Sequence, residues 1–237
     1  MTWQRARRPE QKDERRRAIL ESAAALFSEH GYDGVSLSAI ARGAGLAKSN
    51  LYNYFDTKED IFLTIYLHDL GRWVDAAERA LAPLAGCNDP DAVAQALTTT
   101  VASQPRMNAL LTLVFGALER NVSYERVLEF NTALSEYVAR IVNLLRQALP
   151  AISPGDAVQF LMQTYALVTG LWQMGNPPEV VDQVLRRREL AYLRLDFRSA
   201  LEAALGKLLR QSIENPDLSQ QPKEPQPEGS PGQPVSA

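Results

Sequence analysis

The sequence predicts an all-α protein in which a small three-helix unit precedes a larger helical unit. Apolar residues recur at helical spacing along almost the whole chain, and no segment alternates like a strand between turn residues. Clusters of Pro and Gly divide that spacing into separate helices. Hydrophobic residues make up 46% of the 237 residues, which is enough for a core without disulfide bonds. We call residues 1–57 the head and residues 58–214 the body.

The first helix is predicted from Gln11 to His30, and its apolar residues share one face, which we expect to be buried. These residues are Ile19, Ala23, Leu26 and Phe27. Gly31 suits the left-handed conformation that ends a helix. The sequence therefore predicts a long helix that stops at a glycine.

Two short helices follow, separated by a tight turn. Ser36 is a suitable N-cap for the first, which we expect to reach Ala44 before Gly45 ends it. The second is predicted from Lys48 to Phe55. Together they form a helix-turn-helix, an arrangement whose second helix fits the major groove of DNA.

The body begins at a second N-cap, Thr57, with Glu59 and Asp60 in the first helical turn, where the helix dipole favours acidic side chains. Its helices are predicted near 58–82, 91–103, 106–120, 123–149, 154–174, 179–193 and 195–213. Residues 215–237 contain six of the fourteen prolines, together with Gln, Ser and Gly. This composition buries little apolar surface, so we expect a disordered tail.

Several classes of protein are disfavoured. Cys87 has no second cysteine, and His30 and His68 lie far apart in the chain, which argues against disulfide bonds and against a metal site. No phosphate-binding, nucleotide-binding or hydrolase motif occurs. We therefore expect neither an enzyme nor a cofactor.

One uncharged stretch, Ala157 to Pro178, approaches the length of a membrane span, yet it contains several amides and hydroxyls. Such groups are costly in hydrocarbon, so a buried or interface helix is favoured over a membrane helix. No signal peptide is recognised, because Glu21 and Ser22 interrupt the first apolar run. The expected location is the cytoplasm.

Charge and side-chain placement point to DNA as the partner of the head. Residues 1–58 carry ten Lys and Arg against seven Asp and Glu, whereas the rest of the chain is acidic. On the second short helix, Ser49 and Asn53 point away from the inward-facing Leu51. Asn and Ser both read purine edges in the major groove. Ordinary solvated charge remains the alternative explanation of the charge pattern.

Other polar residues suit contacts to phosphate. Flanking the groove-facing side chains are Lys48, Asn50, Tyr52 and Tyr54. Ser36 would present a hydroxyl at a helix amino terminus, and Lys58 another cation. We also expect a flexible basic arm, formed by Arg5, Arg7, Arg8, Lys12, Arg15, Arg16 and Arg17.

The stretch Ala24 to Leu63, and above all GYDGVSLSAIARGAGLAKSNLYNYFDTKEDIF, resembles the TetR family of bacterial transcriptional regulators. The resemblance implies a DNA-binding head on a helical ligand-binding and dimerisation domain. It implies phosphate contacts at Ser36, Lys48, Tyr52, Tyr54 and Lys58. It implies contacts to bases or nearby backbone at Ser38, Arg42, Ser49, Asn50 and Asn53. Two residues depart from good helix design: Ala47 offers no side-chain cap, and Gly43 lowers helix propensity.

In the body, flexible and aromatic side chains mixed with amides suggest an apolar pocket for a hydrophobic small molecule. The candidate ligand-binding residues are Trp73, Phe115, Met162, Tyr165 and Trp172. Plain core packing is the alternative for each.

Reading a palindromic operator in double-stranded DNA requires two heads about 34 Å apart, and so a homodimer. The resemblance implies pairing through the last two long helices, where Leu195, Phe197, Leu201, Leu205 and Leu208 form a stripe that an intramolecular core would also explain. We expect a repressor that its effector releases by shifting the fourth helix. The alternative is an all-helical protein-interaction module with an inactive head.

Overall fold

The structure is a computed structural model that describes residues 9–214. The predicted tail and the arm residues Arg5, Arg7 and Arg8 lie outside the described residues. The described chain forms ten α-helices and no strand, which confirms the all-α prediction. The helices are α1 Pro9–His30, α2 Leu37–Gly43, α3 Lys48–Leu51, α4 Lys58–Leu81, α5 Pro90–Ala102, α6 Pro105–Leu111, α7 Tyr124–Ala148, α8 Pro154–Gly175, α9 Glu179–Leu185 and α10 Phe197–Glu214.

The head is a three-helix unit whose core includes part of α4. Ile19 and Phe27 of α1, Ile40 of α2 and Leu51 of α3 are buried together. Phe62 of α4 is fully buried. Its ring lies 5.5 Å from that of Phe27 and 5.3 Å from that of Tyr32, measured between centroids. The head is therefore packed onto the first turns of α4.

Local sequence signals set the helix ends of the head as predicted. The Ser36 hydroxyl accepts a hydrogen bond from the amide of Ala39 at the start of α2. The Thr57 hydroxyl accepts one from the amide of Asp60 at the start of α4. Gly31 and Gly45 both have φ of +67°, the left-handed conformation that glycine adopts without a Cβ clash.

The body packs around α4, which contacts α5, α6 and α7, while α10 packs against α5 and α8. Leu201 and Leu205 of α10 are completely buried within the chain, and so is Leu209. For Leu201 and Leu205 of the predicted apolar stripe, the explanation is therefore packing in the intramolecular core and not pairing with a second copy. No helix in residues 9–214 has the length and apolarity that crossing a membrane requires.

Two predicted helices of the body are shorter in the structure. The helix expected over 106–120 ends at Leu111, and a π-type turn spans Val114–Leu118. There the amides of Leu118 and Glu119 bond to carbonyls five residues back, at 3.0 and 3.1 Å, in place of the four-residue spacing of an α-helix.

The helix expected over 179–193 ends at Leu185, and only a short 3-10 turn, Ala191–Leu193, follows. No residue of α9 is buried. Tertiary packing, which normally stabilises a short helix, is therefore missing.

Candidate nucleic-acid interface

The recognition helix α3 is a single turn, shorter than the predicted helix that ended at Phe55. Its N-cap, Ala47, makes no side-chain hydrogen bond, as the sequence predicted. After Leu51 the amides of Asn53 and Tyr54 bond to carbonyls three residues back, at 3.2 and 2.9 Å. The Asn53 side-chain amide also donates to the carbonyl of Asn50, at 3.2 Å. Such local bonds compete with helix continuation, so a tight turn replaces the last predicted turn of helix.

One face of α3 is buried against the head, and the opposite face is exposed to solvent. Leu51 and Phe55 are 0% and 2% exposed, which confirms the predicted inward direction. Lys48, Ser49 and Asn50 are all exposed. Further exposed candidates for DNA contact are Ser36, Ser38, Arg42, Tyr52 and Asn53, whereas Tyr54 is half-buried against the core. The structure thus brings nine candidate side chains other than Lys58 to the helix-turn-helix, eight of them exposed.

The turn between α1 and α2 engages Lys58. Its ammonium donates to the carbonyls of Tyr32 and Val35, each at 3.1 Å, and lies 3.9 Å from the centre of the Tyr32 ring. These contacts stabilise the turn before DNA arrives. The predicted phosphate contact of Lys58 stays a prediction, and the structure adds a role in holding the head together.

Gly43 lies where α2 meets α1. A Cβ added there would come within 2.2 Å of the Ser22 hydroxyl oxygen. That hydroxyl donates to the carbonyl of Ile40, at 3.0 Å. The glycine therefore allows a close contact between α1 and α2, which accounts for a residue of low helix propensity at this position.

The basic residues of the predicted arm that the structure describes lie in α1. From Pro9 onward they belong to α1, so Lys12 and Arg15–Arg17 are helical and not part of a flexible arm as predicted. The Arg16 guanidinium lies 4.8 Å from the centre of the Phe55 ring. The helix extends this far because its charged residues are good helix formers and its carboxyl half is packed in the head.

The five candidate ligand-binding residues are dispersed. Trp73 is buried and its indole donates to the Thr100 hydroxyl, at 3.2 Å, whereas Phe115 is 61% exposed. Tyr165 packs edge-on against Phe115, with ring centroids 5.1 Å apart. Met162 is 52% exposed, and Trp172 stacks edge-on with Phe197. The structure does not bring them together around one cavity, so their ligand role stays a prediction.

A charged groove of about 660 Å³ runs between α1, α4 and α6. None of the five candidate ligand residues lines it. At one end Asp69, which is 4% exposed, accepts two hydrogen bonds of 2.7 Å from the Arg106 guanidinium. This groove is polar, unlike the apolar pocket that the sequence suggested.

Sequence reasoning missed three polar atoms inside the body. The side-chain oxygens of Thr98, Asn108 and Thr164 are buried and accept no hydrogen bond from the described residues. Buried polar atoms are normally satisfied by protein, water or ligand. No sequence signal identifies them, because Thr and Asn at helical core spacing look like ordinary helix residues.

Both units of the chain match known protein families. Residues 19–65 match the family described as "Bacterial regulatory proteins, tetR family", and residues 67–210 match "Tetracyclin repressor-like, C-terminal domain". The first match covers most of the head and the start of α4, and the second covers most of the body.

Curated relatives match over part of their length. The HTH-type transcriptional activator FasR of Mycolicibacterium smegmatis is 30% identical over 125 residues, which is 53% of this chain and 50% of that protein. The fatty acid metabolism regulator protein of Bacillus subtilis is 33% identical over 60 residues, 25% of this chain and 31% of that protein. The chain thus spans half or less of the length of these relatives.

Solved structures share the fold. The fatty acid degradation regulator FadR from Bacillus halodurans superposes with a TM-score of 0.51 at 19% identity, over 84% of this chain and 94% of that one. PfmR from Thermus thermophilus gives 0.53 at 21% identity, over 81% and 97%. With a helix-turn-helix head, a helical body and both family matches, the chain belongs to the TetR family of DNA-binding transcription regulators, a family of regulators and not of enzymes.

Proposed function

We propose that this protein is a homodimeric repressor that binds a palindromic operator and is released from it by a small hydrophobic molecule. The observation that carries the proposal is the exposed face of α3. The side chains of Lys48, Ser49 and Asn50 are exposed to solvent, while Leu51 on the opposite side of the helix is fully buried. A rigid inner side with polar groups outside supports base reading at Ser49 and Asn53 and phosphate contacts around them.

Support for a dimer comes from α8. Between Asp156 and Glu179 the chain has no charged residue, yet Val158 and Met162 are 42% and 52% exposed. Ala166 continues the same face one turn later and is also exposed. An uncharged, partly apolar helix face of this kind suits burial against a second copy, which would place two heads on successive major grooves.

Support for a hydrophobic effector comes from the body and from relatives. Asn108 on α6 and Thr164 on α8 each leave a buried oxygen without a partner among the described residues, and α6 packs against α8. Isolated polar groups in an apolar interior are what orients a ligand. FadR from Bacillus subtilis, a fold neighbour of 20% identity, is described in complex with stearoyl-CoA. We propose an effector with a long apolar chain.

The release would be a population shift. The effector favours a conformer in which α4 takes a direction that no longer matches the two heads to the operator, so effector and DNA weaken each other's binding. A repressor follows this scheme when the operator overlaps a promoter. The Staphylococcus aureus negative regulator IcaR, 46% identical over 44 residues, supports repression, although FasR is named an activator.

The test is selection of genomic DNA fragments by the purified protein, followed by affinity measurements on the enriched site. We expect a palindrome. Asn53→Ala should lower affinity for it by about 1–3 kcal/mol and relax the choice of base at one position in each half-site. Asn131→Ala is the control, because Asn131 is also exposed and its amide also donates to a nearby backbone carbonyl, here on α7.

No enrichment over random DNA would instead favour the interaction module with an inactive head. A promoter fusion carrying the operator then distinguishes the sign of regulation. Higher expression after deletion of the regulator supports a repressor, and lower expression supports an activator.

A further inference from the structure

The first turn of α4 is held from both sides, residue by residue. Lys58 donates to the carbonyls of Tyr32 and Val35 in the head. Glu59 accepts hydrogen bonds from the head and from the loop before α7. Asp60 is paired with Arg126 of α7 in the body. Of these three consecutive residues, Lys58 contacts the head, Asp60 contacts the body, and Glu59 between them contacts both.

On the body side, Arg126 is the central contact. Its guanidinium pairs with the Asp60 carboxylate and donates to the Thr64 hydroxyl at 2.7 Å, one turn further along α4. The Arg126 and Asp60 side chains are only 19% and 15% exposed. A pair so shielded from water is screened less than a surface ion pair, and losing Arg126 removes the ion-pair partner of the Asp60 carboxylate. Arg126 also pairs with Glu129 of α7, at 3.3 Å.

On the head side, Glu59 is the shared acceptor. One carboxylate oxygen accepts from the Tyr32 hydroxyl at 2.7 Å and from the Asn121 amide at 3.4 Å. Partial burial and the hydrogen bond to Glu59 both raise the pKa of Tyr32, so its hydroxyl stays a donor at all physiological pH values. Tyr32 belongs to the turn that leads into α2, and Asn121 to the segment that leads into α7.

The segment before α7 is irregular. It includes the π-type turn Val114–Leu118 and the N-cap Ser123, three residues before Arg126. Its backbone bonds reach five residues back, from Leu118 to Leu113 and from Glu119 to Val114. Such turns are frequent at functional sites. A rearrangement there moves Asn121 and Arg126, and with them both carboxylates of α4.

We propose that Arg126, acting through Asp60 and with Asn121 acting through Glu59, is the positioning residue by which the body sets the direction of the head. The inference rests on the proposed function, since it names the contacts through which the effector-binding unit regulates the DNA-reading unit. The two-sided hold also makes the coupling reciprocal: ordering the head on DNA steadies the segment 114–126, and loosening that segment frees the head.

The same two helices offer a matched control. Arg140, also on α7, pairs with Asp75 and Glu78 of α4 at 2.9 and 2.7 Å. These groups are 43% to 55% exposed and lie towards the carboxyl end of α4, away from the head. Arg140→Gln and Arg126→Gln therefore each remove one α4–α7 ion-pair cluster, but only the second removes one at the first turn.

The experiment compares amide hydrogen exchange of the full-length wild type, Arg126→Gln and Arg140→Gln, first without DNA. We expect peptides within residues 31–57 to exchange at least about fivefold faster in Arg126→Gln and at the wild-type rate in Arg140→Gln, because of these two arginines Arg126 alone contacts the first turn of α4. Arg126→Lys keeps the positive charge beside Asp60 but loses the guanidinium group that also reaches Thr64. Its head peptides should exchange at a rate between those of the wild type and Arg126→Gln. Equal head exchange in all variants would overturn the proposal.

A second arm adds the selected operator. In the wild type and in Arg140→Gln, DNA should slow exchange in the segment 114–126 as well as in the head; in Arg126→Gln the slowing should stop at the head. Asp60→Asn, which removes the charge and keeps the side-chain shape, repeats the test should Arg126→Gln fold poorly. Slowing that reaches the segment 114–126 in these variants contradicts the inference. Failure of the wild type to bind any operator contradicts the proposed function, and the DNA-free arm still decides the inference.

Discussion

The head and the body differ in what their exposed faces contain. In the head, the exposed side chains of α2 and α3 are mainly polar, and Phe27 and Phe55 are buried, together with Phe62 of α4. In the body, apolar side chains stand in solvent as well: Phe115 is 61% exposed, Val180 72% and Tyr192 80%. The exposed surface of the head is thus mainly polar, whereas the exposed surface of the body includes large apolar side chains. The difference indicates that the two units offer different chemistry to partners: mainly polar groups in the head, and apolar as well as polar groups in the body.

The largest expected effect tests whether the head is finished only by α4. Phe62→Ala removes a fully buried ring that packs on Phe27 and Tyr32, so the free energy of unfolding should fall by about 3–5 kcal/mol. Phe115→Ala removes an exposed ring and should cost less than about 1 kcal/mol. Denaturant titration at low protein concentration measures both. Similar losses at the two positions would remove the contrast between the units.

Lys48 and Lys58 are both predicted to contact phosphate, but we expect only Lys58 to contribute to the stability of the head. Lys58→Ala removes the donor to two carbonyls and should lower the free energy of unfolding by about 1–3 kcal/mol. Lys48→Ala, at an exposed site, should leave stability unchanged and reduce the slope of log affinity against log salt by about 1. Denaturation and salt-dependent operator binding separate the two. A reduced salt slope with unchanged stability in Lys58→Ala would restore its predicted role as a phosphate contact.

Packing around glycine offers a smaller effect. Gly43→Ala should give no stabilisation, because its methyl group displaces the Ser22 hydroxyl from the carbonyl of Ile40. In a Ser22→Ala background the same change should gain less than about 1 kcal/mol of helix propensity, because the Cβ of residue 22 would still lie 3.3 Å from the new methyl group. Gly170→Ala in α8, where an added Cβ meets nothing within 4 Å, is the counterpart in the body and should gain a similar amount. Thermal unfolding gives all three; a loss at Gly170 would place the second copy against it.

The smallest expected effect is a pH dependence at the groove between the two units. Partial burial, then the charges of Arg16 and Arg72, lower the pKa of His68, against an opposing effect of Asp69. As pH falls through about 6.5, the unfolded chain takes up a proton before the folded chain does, so stability declines with acidification and is unaffected above that range. His68→Gln should flatten this part of the stability profile. An unchanged profile would mean that His68 titrates normally.

The sequence predicted the head more completely than the body, for physical reasons. The caps at Ser36 and Thr57 and the glycine at Gly31 act within a few residues, so local signals determine them. The inward direction of Leu51 and Phe55 follows from helical spacing alone. The predicted end of α3 was wrong by one turn, because the Asn53 side-chain amide donates to the carbonyl of Asn50 and so competes with continuation of the helix.

In the body, spacing could not tell which apolar face a neighbour covers. Leu201 and Leu205 on α10 are buried by α5 and α8, while Met162 on α8 is exposed, although all three follow the same helical pattern. The contact of Arg126 with Asp60 joins residues 66 positions apart and has no local sequence signal. Long-range pairs of this kind, which carry the proposed coupling, need the structure to be seen.

The shared core at Phe62 also limits where this protein can be recombined with its relatives. A chimera joined at the boundary of the head, after Thr57, would place foreign side chains beside Phe27 and Tyr32 and would separate Lys58 from its own turn. A crossover in the middle of α4 would keep those contacts and would require the donor to supply an amide where Asn121 meets Glu59 and an arginine where Arg126 meets Asp60. Exchangeable parts of this molecule therefore meet within a helix and not at the loop that separates its domains.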